Sequence, residues 1–138
     1  MKFKVYHSLP EAAKSIREEV FVVEQGFKYE FDDLDLTSTH IVGYINGLPV
    51  ATCRVLFNEQ RKTYAVGRIA VIKEYRGKGL GAEALREGEE YIRKIGGGLV
   101  SLHAQVRAAG FYEKQGYIRV GEIDDEEGYP HIWMTKEL

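Results

Sequence analysis

The hydrophobic and polar positions change period several times along the chain, and each change marks an element. Residues 2–6, Lys-Phe-Lys-Val-Tyr, alternate as a strand does. Leu9, Ala12, Ala13, Ile16, Val20 and Val23 then recur at helical spacing. Ser8-Leu9-Pro10-Glu11 before them reads as a capping box with proline in the first turn, so a first helix is predicted to about Val23. Residues 24–39 hold no sustained period; glycine, aromatics and the acidic set Glu30, Asp32, Asp33 and Asp35 predict a loop with a short helix. Two β-rich runs, residues 40–45 and 50–57, flank Asn46-Gly47-Leu48-Pro49, and Asn-Gly is a strong hairpin signal.

A polar loop, residues 58–62, leads to a strand over 64–72, a glycine-rich turn and a long helix over 79–95. Leu80, Ala84, Leu85, Tyr91, Ile92 and Ile95 form that helix's apolar stripe, with Glu89-Arg93 and Glu90-Lys94 as i,i+4 pairs on the opposite face. Gly96-Gly97-Gly98 stops it before a strand over 99–105, and strand, turn, helix and strand together predict a right-handed parallel crossover. A short helix over 107–114 and closing strands over 117–121 and 131–136, joined by a polar loop at 124–128, complete the pattern. No repeat or linker divides it, so residues 1–138 are expected to form a single domain of mixed α/β class.

With 138 residues, 44% of them hydrophobic, the chain can bury one sizeable core unaided. A formal net charge of −2 disfavours nucleic acid or an anionic membrane surface as partner. The single cysteine, Cys53, excludes an intramolecular disulfide and a cysteine-rich zinc site, so no metal and a reducing, cytoplasmic location are expected. Strand alternation groups Cys53 with Ala51, Val55 and Phe57, a core face rather than a nucleophile's setting. No run approaches the ~20 apolar residues of a membrane span, and no apolar signal core follows Met1, so a soluble, unprocessed protein is expected.

The chemistry concentrates at the turn. After the strand, glycines at 77, 79 and 81 precede a helix, and Arg76 and Lys78 add positive charge. Missing Cβ atoms let backbone approach a ligand, while the helix's first amides and its dipole face an anion, so a phosphate or pyrophosphate is implied. The same glycines would also serve a plain tight turn with solvated cations. A P-loop would end Gly-Lys-Ser or Gly-Lys-Thr, whereas this turn ends Gly81-Ala82-Glu83. The residues do fit G-x-G-x-x-A, but the acid a dinucleotide site needs ~20 residues later is missing from Gly96-Gly97-Gly98-Leu99-Val100-Ser101-Leu102. That leaves a nicotinamide-dependent oxidoreductase as a distant rival.

Arg76-Gly77-Lys78-Gly79-Leu80-Gly81 resembles the pyrophosphate motif of the GNAT N-acetyltransferase superfamily, (Gln/Arg)-x-x-Gly-x-(Gly/Ala), in its usual place between the fourth strand and the long helix. Residues 105–117 resemble a second motif of that family, Asn-x-x-Ala-x-x-x-Tyr-x-x-x-Gly-(Phe/Tyr), with Gln105 in place of the common asparagine. Val20-Phe21-Val22-Val23-Glu24-Gln25, Leu102-His103-Ala104-Gln105 and Gly128-Tyr129-Pro130-His131 resemble its bacterial ElaA/YjcF-like branch. The resemblance implies a central mixed, mostly antiparallel sheet flanked by helices, with a parallel pair splayed into a coenzyme A cleft. It implies that acetyl-coenzyme A is the co-substrate and an amine the acceptor. Ile69, Ala70 and Val71 would hold the pantetheine arm, the 76–81 turn the pyrophosphate, and Gln105 and Tyr112 the cleft.

Acetyl transfer to an amine needs a base for the amine, stabilisation of an oxyanion and a proton for the departing thiolate. Tyr112 stands where the family carries its thiolate-protonating tyrosine; by composition alone it would only pack beside Phe111. His103, His131 and Glu24 are the base candidates, the histidines because imidazole titrates in the useful range, although an ordinary strand histidine or a helix-end carboxylate would look the same. The acids at 32–35 are read as solvated, or as an attraction for a cationic amine. No activated nucleophile is evident, so direct transfer in a ternary complex is expected, with a noncatalytic acyl-coenzyme A binding or regulatory module as the alternative. The amine's identity and the oligomeric state, a homodimer included, stay open.

Overall fold

A seven-stranded sheet in the order β1-β2-β3-β4-β5-β7-β6 forms the middle layer of the computed structural model, which describes residues 1–28 and 31–138. The strands are β1 (Lys2–Tyr6), β2 (Thr39–Ile45), β3 (Leu48–Asn58), β4 (Thr63–Val71), β5 (Leu99–Gln105), β6 (Ile118–Glu126) and β7 (Tyr129–Glu137). Every neighbouring pair is antiparallel except β4 and β5, the two ends of the predicted crossover. Asn46 and Gly47 turn the β2-β3 hairpin with φ of 50° and 79°, the left-handed pair that an Asn-Gly hairpin turn demands.

Helix α1 (Glu11–Arg17) lies on one face of the sheet, where Ala13, Ile16 and Val20 meet Val42 and Ala70. Helix α2 (Leu80–Lys94) covers the other, packing Leu85 and Ile92 against Ile41, Val55, Val66, Val100 and Leu102; helix α3 (Ala109–Lys114) extends that layer through Ala109. Each fully buried Leu or Ile there contributes about 2 kcal/mol. Because β3 is covered on both faces, Val50 through Val55 are all buried, while Phe57, grouped with Cys53 by alternation, emerges to 43% exposure. Burial pushes the Cys53 thiol up to about 12. Gly88 sits where α2 presses closest to the sheet: a Cβ there would lie 3.2 Å from Val66 and 3.4 Å from the Cys53 sulfur.

Several local expectations are corrected. The first helix begins at Glu11 behind Pro10, whose ψ of 155° is extended, and Ser8 makes no cap because it lies two residues before that boundary. Past Arg17 the helix widens into a π-helix, Glu18–Glu24, which rotates Val23 off the apolar stripe to 78% exposure. On α2, Glu89 does not pair with Arg93; it is buried, taking a hydrogen bond from the Tyr117 hydroxyl at 2.8 Å and an ion pair from Lys136 at 3.0 Å, while Arg93 turns to Glu90. Strand β6 continues through the predicted loop to Glu126, carried by a bulge between Val120 and Asp124.

The acidic segment is structural at two of its members. A 3₁₀ turn, Asp33–Leu36, buries Asp35, which accepts from Arg17 at 2.9 and 3.1 Å and from Arg54 at 3.0 Å; Arg54 also reaches Asp32 at 2.7 Å. Burial alone would raise the Asp35 carboxyl, but the Arg17 guanidinium and the Asp32 amide outweigh it and hold it at about 2. His40 donates from Nε2 to the Asp35 carbonyl at 3.0 Å, and burial keeps it below the ordinary histidine value. Glu30, the remaining acid of the set besides Asp33, lies outside the described residues. Among the described residues no helix is long and apolar enough to cross a membrane.

Candidate active site

Strands β4 and β5 are registered only at Tyr64 with Val100 and Ala65 with Ser101, where the Thr63 and Ser101 hydroxyls share a 2.7 Å hydrogen bond. Beyond that clasp they part. Strand β4 is bent by a bulge: the register with β3 steps from Arg54-Gly67 to Thr52-Ala70, and Arg68 takes φ of 51°, a left-handed conformation costly for a residue with a Cβ. The gap holds a cleft of about 240 Å³ between Val66 to Ile69 on one side and Leu102 to Gln105 on the other. Of the three residues expected to hold an extended ligand arm, Ile69 lines this cleft; Ala70 turns into the α1 layer, and Val71 packs beneath the start of α2.

The glycine turn follows β4 in the chain, beyond the residues that line the cleft. Lys73–Tyr75 makes a 3₁₀ turn, Gly77 and Gly79 take φ of 80° and 78°, and α2 starts at Leu80. Glu83 is the first residue to return a bond, to the Gly79 carbonyl at 3.1 Å, so the amides of Leu80, Gly81 and Ala82 head the helix without an intrahelical acceptor. Lys78 lies over the Tyr75 ring at 5.1 Å. Arg76 donates from Nε to the Val71 carbonyl at 2.9 Å and from both terminal nitrogens to Glu24 at 2.6 and 2.7 Å. That fork lowers the Glu24 carboxyl below its usual range and raises Arg76. Glu24 therefore sits at the turn as the partner of Arg76 and does not line the cleft.

Tyr112 enters the cleft from α3, edge-on to Phe111 and Tyr117 at 5.1 and 6.1 Å. Its hydroxyl has no partner among the described residues, and burial pushes it up to about 12, so it keeps its proton. Gln105 donates to the Gln25 side chain at 2.9 Å and accepts from Arg107 at 2.7 Å, tying β5 to the chain that follows the π-helix. That chain closes the far end: Phe27 stacks on Tyr129 at 5.0 Å, and the Tyr129 hydroxyl donates to the Gln25 carbonyl at 2.7 Å.

The two strand histidines meet in the wall of the cleft, their rings 4.7 Å apart. His131 is 4% exposed and uses both nitrogens, Nδ1 to the Tyr129 carbonyl at 2.8 Å and Nε2 to Glu126 at 3.2 Å. His103 stacks on Trp133 at 4.8 Å and 22° and engages only Nε2, at 2.7 Å from Asp124. Asp124, Glu126 and Trp133 escape motif reading, and Gln25 stands in a recognised segment without an assigned role; the signal that could have found the two acids is the pairing of the last hairpin, which sets Asp124 opposite His131 and Glu126 opposite Tyr129. Among the described residues no group of three or more His, Cys, Asp or Glu is arranged to hold a metal ion.

This arrangement has close counterparts. Residues 5–117 match the family model described as "Acetyltransferase (GNAT) family". The Bacillus subtilis protein YyaT is 38% identical over 94% of this chain and 89% of its own length, and ElaA of Escherichia coli is 33% identical over 92% and 86%. The crystal structure of Escherichia coli ElaA superposes with a TM-score of 0.87 at 32% identity, covering 99% of both chains. An aminoglycoside 6'-N-acetyltransferase complexed with coenzyme A shares the fold alone, with a TM-score of 0.75 at 14% identity over 99% of this chain and 97% of that one. The splayed parallel pair, the glycine turn and these matches together make this chain a member of the acetyltransferase (GNAT) family, an acyltransferase.

Proposed function

We propose that the protein transfers the acetyl group of acetyl-coenzyme A to a primary amine of a small molecule or peptide, directly within a ternary complex. The observation that carries this reading is the cleft opened between the bulged β4 and β5, lined by an unpartnered phenol and two imidazoles, with the helix-heading amides of Leu80 and Gly81 on the turn that follows β4. The pyrophosphate would lie on the 76–81 turn, where the α2 amides, Lys78 and the half-exposed Arg76 supply charge and donors. The pantetheine arm would follow Ile69 to Val71 as an added strand, with Gln105 across from it.

In the step itself the amine nitrogen forms a bond to the thioester carbon, and the carbon-sulfur bond then breaks. The amine's proton goes to a base and the departing sulfur takes one from Tyr112. A phenol held protonated by burial suits that donation. Of the three base candidates, Glu24 is weakened by Arg76 and His131 has spent both nitrogens on the fold. His103 alone lines the cleft with a ring nitrogen, Nδ1, uncommitted among the described residues, so it is assigned the base. The test is thiol release from acetyl-coenzyme A across a panel of small amines and peptides. Amine-dependent release supports transfer; binding of acetyl-coenzyme A with no release for any amine leaves a noncatalytic module and overturns the proposal.

A further inference from the structure

We propose that Asp124 is a positioning residue for His103: it holds the ring by its Nε2 proton and so turns the Nδ1 lone pair toward the acceptor. The inference rests on the reading of His103 as base and adds a residue that no motif points to. A carboxylate can only accept, so the 2.7 Å contact places the ring proton on Nε2 and leaves Nδ1 as the basic nitrogen. The ring plane is set independently, by contact with Trp133 at 4.8 Å and 22° and with His131 at 4.7 Å and 36°. A base oriented by stacking and by an acidic partner is the arrangement proton abstraction calls for.

The backbone is built to deliver this contact. Along the last hairpin, Val120 faces Trp133, and the next registered pair on this side is Asp124 with His131, so residues 121–123 of β6 oppose Ile132 alone. Unbroken pairing would have put Glu122 opposite His131. The bulge turns at Gly121, whose φ of 78° suits glycine, and it carries Asp124 to the place beside His103. The other charged or titratable groups that line the cleft with this ring are His131 on β7, itself held by Glu126, Glu127 in the turn of the last hairpin, Arg107 and Tyr112 beyond β5, and Arg68 on β4, which pairs with Asp32.

The experiment compares wild type with Asp124→Ala, Asp124→Glu, His103→Gln and the double variant Asp124→Ala/His103→Gln, reading two signals. The first is the one-bond proton-nitrogen NMR correlation of the His103 ring, which needs no acceptor. The hydrogen-bonded Nε2 proton is expected to be visible in wild type, lost to solvent exchange in Asp124→Ala and regained in Asp124→Glu. The second is kcat for the best amine of the panel at saturating acetyl-coenzyme A. Asp124→Ala is expected to lower it about 10- to 100-fold with the KM for acetyl-coenzyme A unchanged, Asp124→Glu to recover most of it, and Asp124→Ala to add nothing in the His103→Gln background. A ring signal indifferent to residue 124, a wild-type kcat in Asp124→Ala, or a full further loss in the double variant would each overturn the assignment. Should no amine be acetylated, the proposed function fails, and the ring signal still decides whether Asp124 holds the imidazole.

Discussion

Replacing Asp35 with asparagine removes a buried charge that ties α1, the 3₁₀ turn and β3 together. Its carboxylate takes two bonds from Arg17, which is 1% exposed, one from Arg54 and one from the Asp32 amide. An asparagine of the same shape keeps one acceptor oxygen but no charge, and its amide would point donors at guanidinium groups. Breaking a buried ion pair on one side costs about 3–5 kcal/mol. The low end applies here, because Arg17 keeps the Phe31 ring at 4.9 Å and Arg54 keeps Asp32. About 3 kcal/mol, at roughly 4 °C per kcal/mol for a domain of this size, lowers the melting temperature by about 12 °C. Urea denaturation and calorimetry of Asp35→Asn measure this, with Glu90→Gln as control, since that acid pairs with Arg93 on the surface and is worth at most about 0.5 kcal/mol. A loss below 1 kcal/mol for Asp35→Asn would refute the view that this network anchors the first helix.

Two other outcomes follow from single groups. Tyr112→Phe keeps the ring and removes the proton, so kcat for acetyl transfer should fall about 10²- to 10⁴-fold while acetyl-coenzyme A affinity holds; unchanged turnover with chemistry rate-limiting removes Tyr112 from the mechanism. Acid should act on stability in two stages, because His40 and Asp35 both lie below their ordinary values when folded. A group depressed in the folded state contributes above its unfolded pKa and loses that contribution as pH falls. His40 thus costs stability as pH drops below about 6.5, and Asp35 as it drops from about 3.8 toward about 2. The Asp35 part is about 2 kcal/mol at full strength and roughly half that with solvent screening at the half-exposed Asp32. Denaturation at pH 7.5 and 5.5 reads the first stage, and His40→Gln should flatten it; an unchanged pH dependence in that variant contradicts the assignment.

The elements with a long period or a turn signal were legible in the sequence: the Asn46-Gly47 hairpin, the 99–105 strand and the glycine turn before α2 stand where periodicity puts them. What it concealed were features set by partners far along the chain. Glu89 looks like a solvated face residue until Tyr117 and Lys136 arrive from α3's far end and β7. Asp32 and Asp35 look like loop charges until Arg17 and Arg54 enclose them. The π-helix leaves no mark on an apolar stripe that still repeats every three or four residues, so the rotation of Val23 to the surface was invisible.

The candidate site divides the same way. Motif spacing pointed to the turn and the phenol, and strand position with imidazole chemistry pointed to both histidines; Tyr112, His103 and His131 all line the one cleft. Neither signal could rank the histidines or Glu24, since the ranking depends on contacts 21 and 52 residues apart in sequence, His103 with Asp124 and Glu24 with Arg76. The bulge that advances Asp124 by two positions has only Gly121 as a sequence trace, and one glycine in a strand marks a bend without telling which side chain it re-aims.

Titration of acetyl-coenzyme A into wild type and Gly81→Glu tests the central claim most directly. Gly81 has room for a Cβ, with Phe111 at 3.6 Å and Val71 at 3.9 Å in ordinary contact, so the variant should fold, unlike changes at Gly77 or Gly79, where positive φ adds strain. A glutamate at the head of α2 would fill and repel the space assigned to pyrophosphate. Wild type is predicted to bind and to gain about 2.7 kcal/mol of stability at a hundredfold excess of ligand over Kd, and Gly81→Glu to lose most of that gain while keeping its unliganded fold. Equal binding by the two proteins, or no binding by wild type at saturating concentration, would contradict the account.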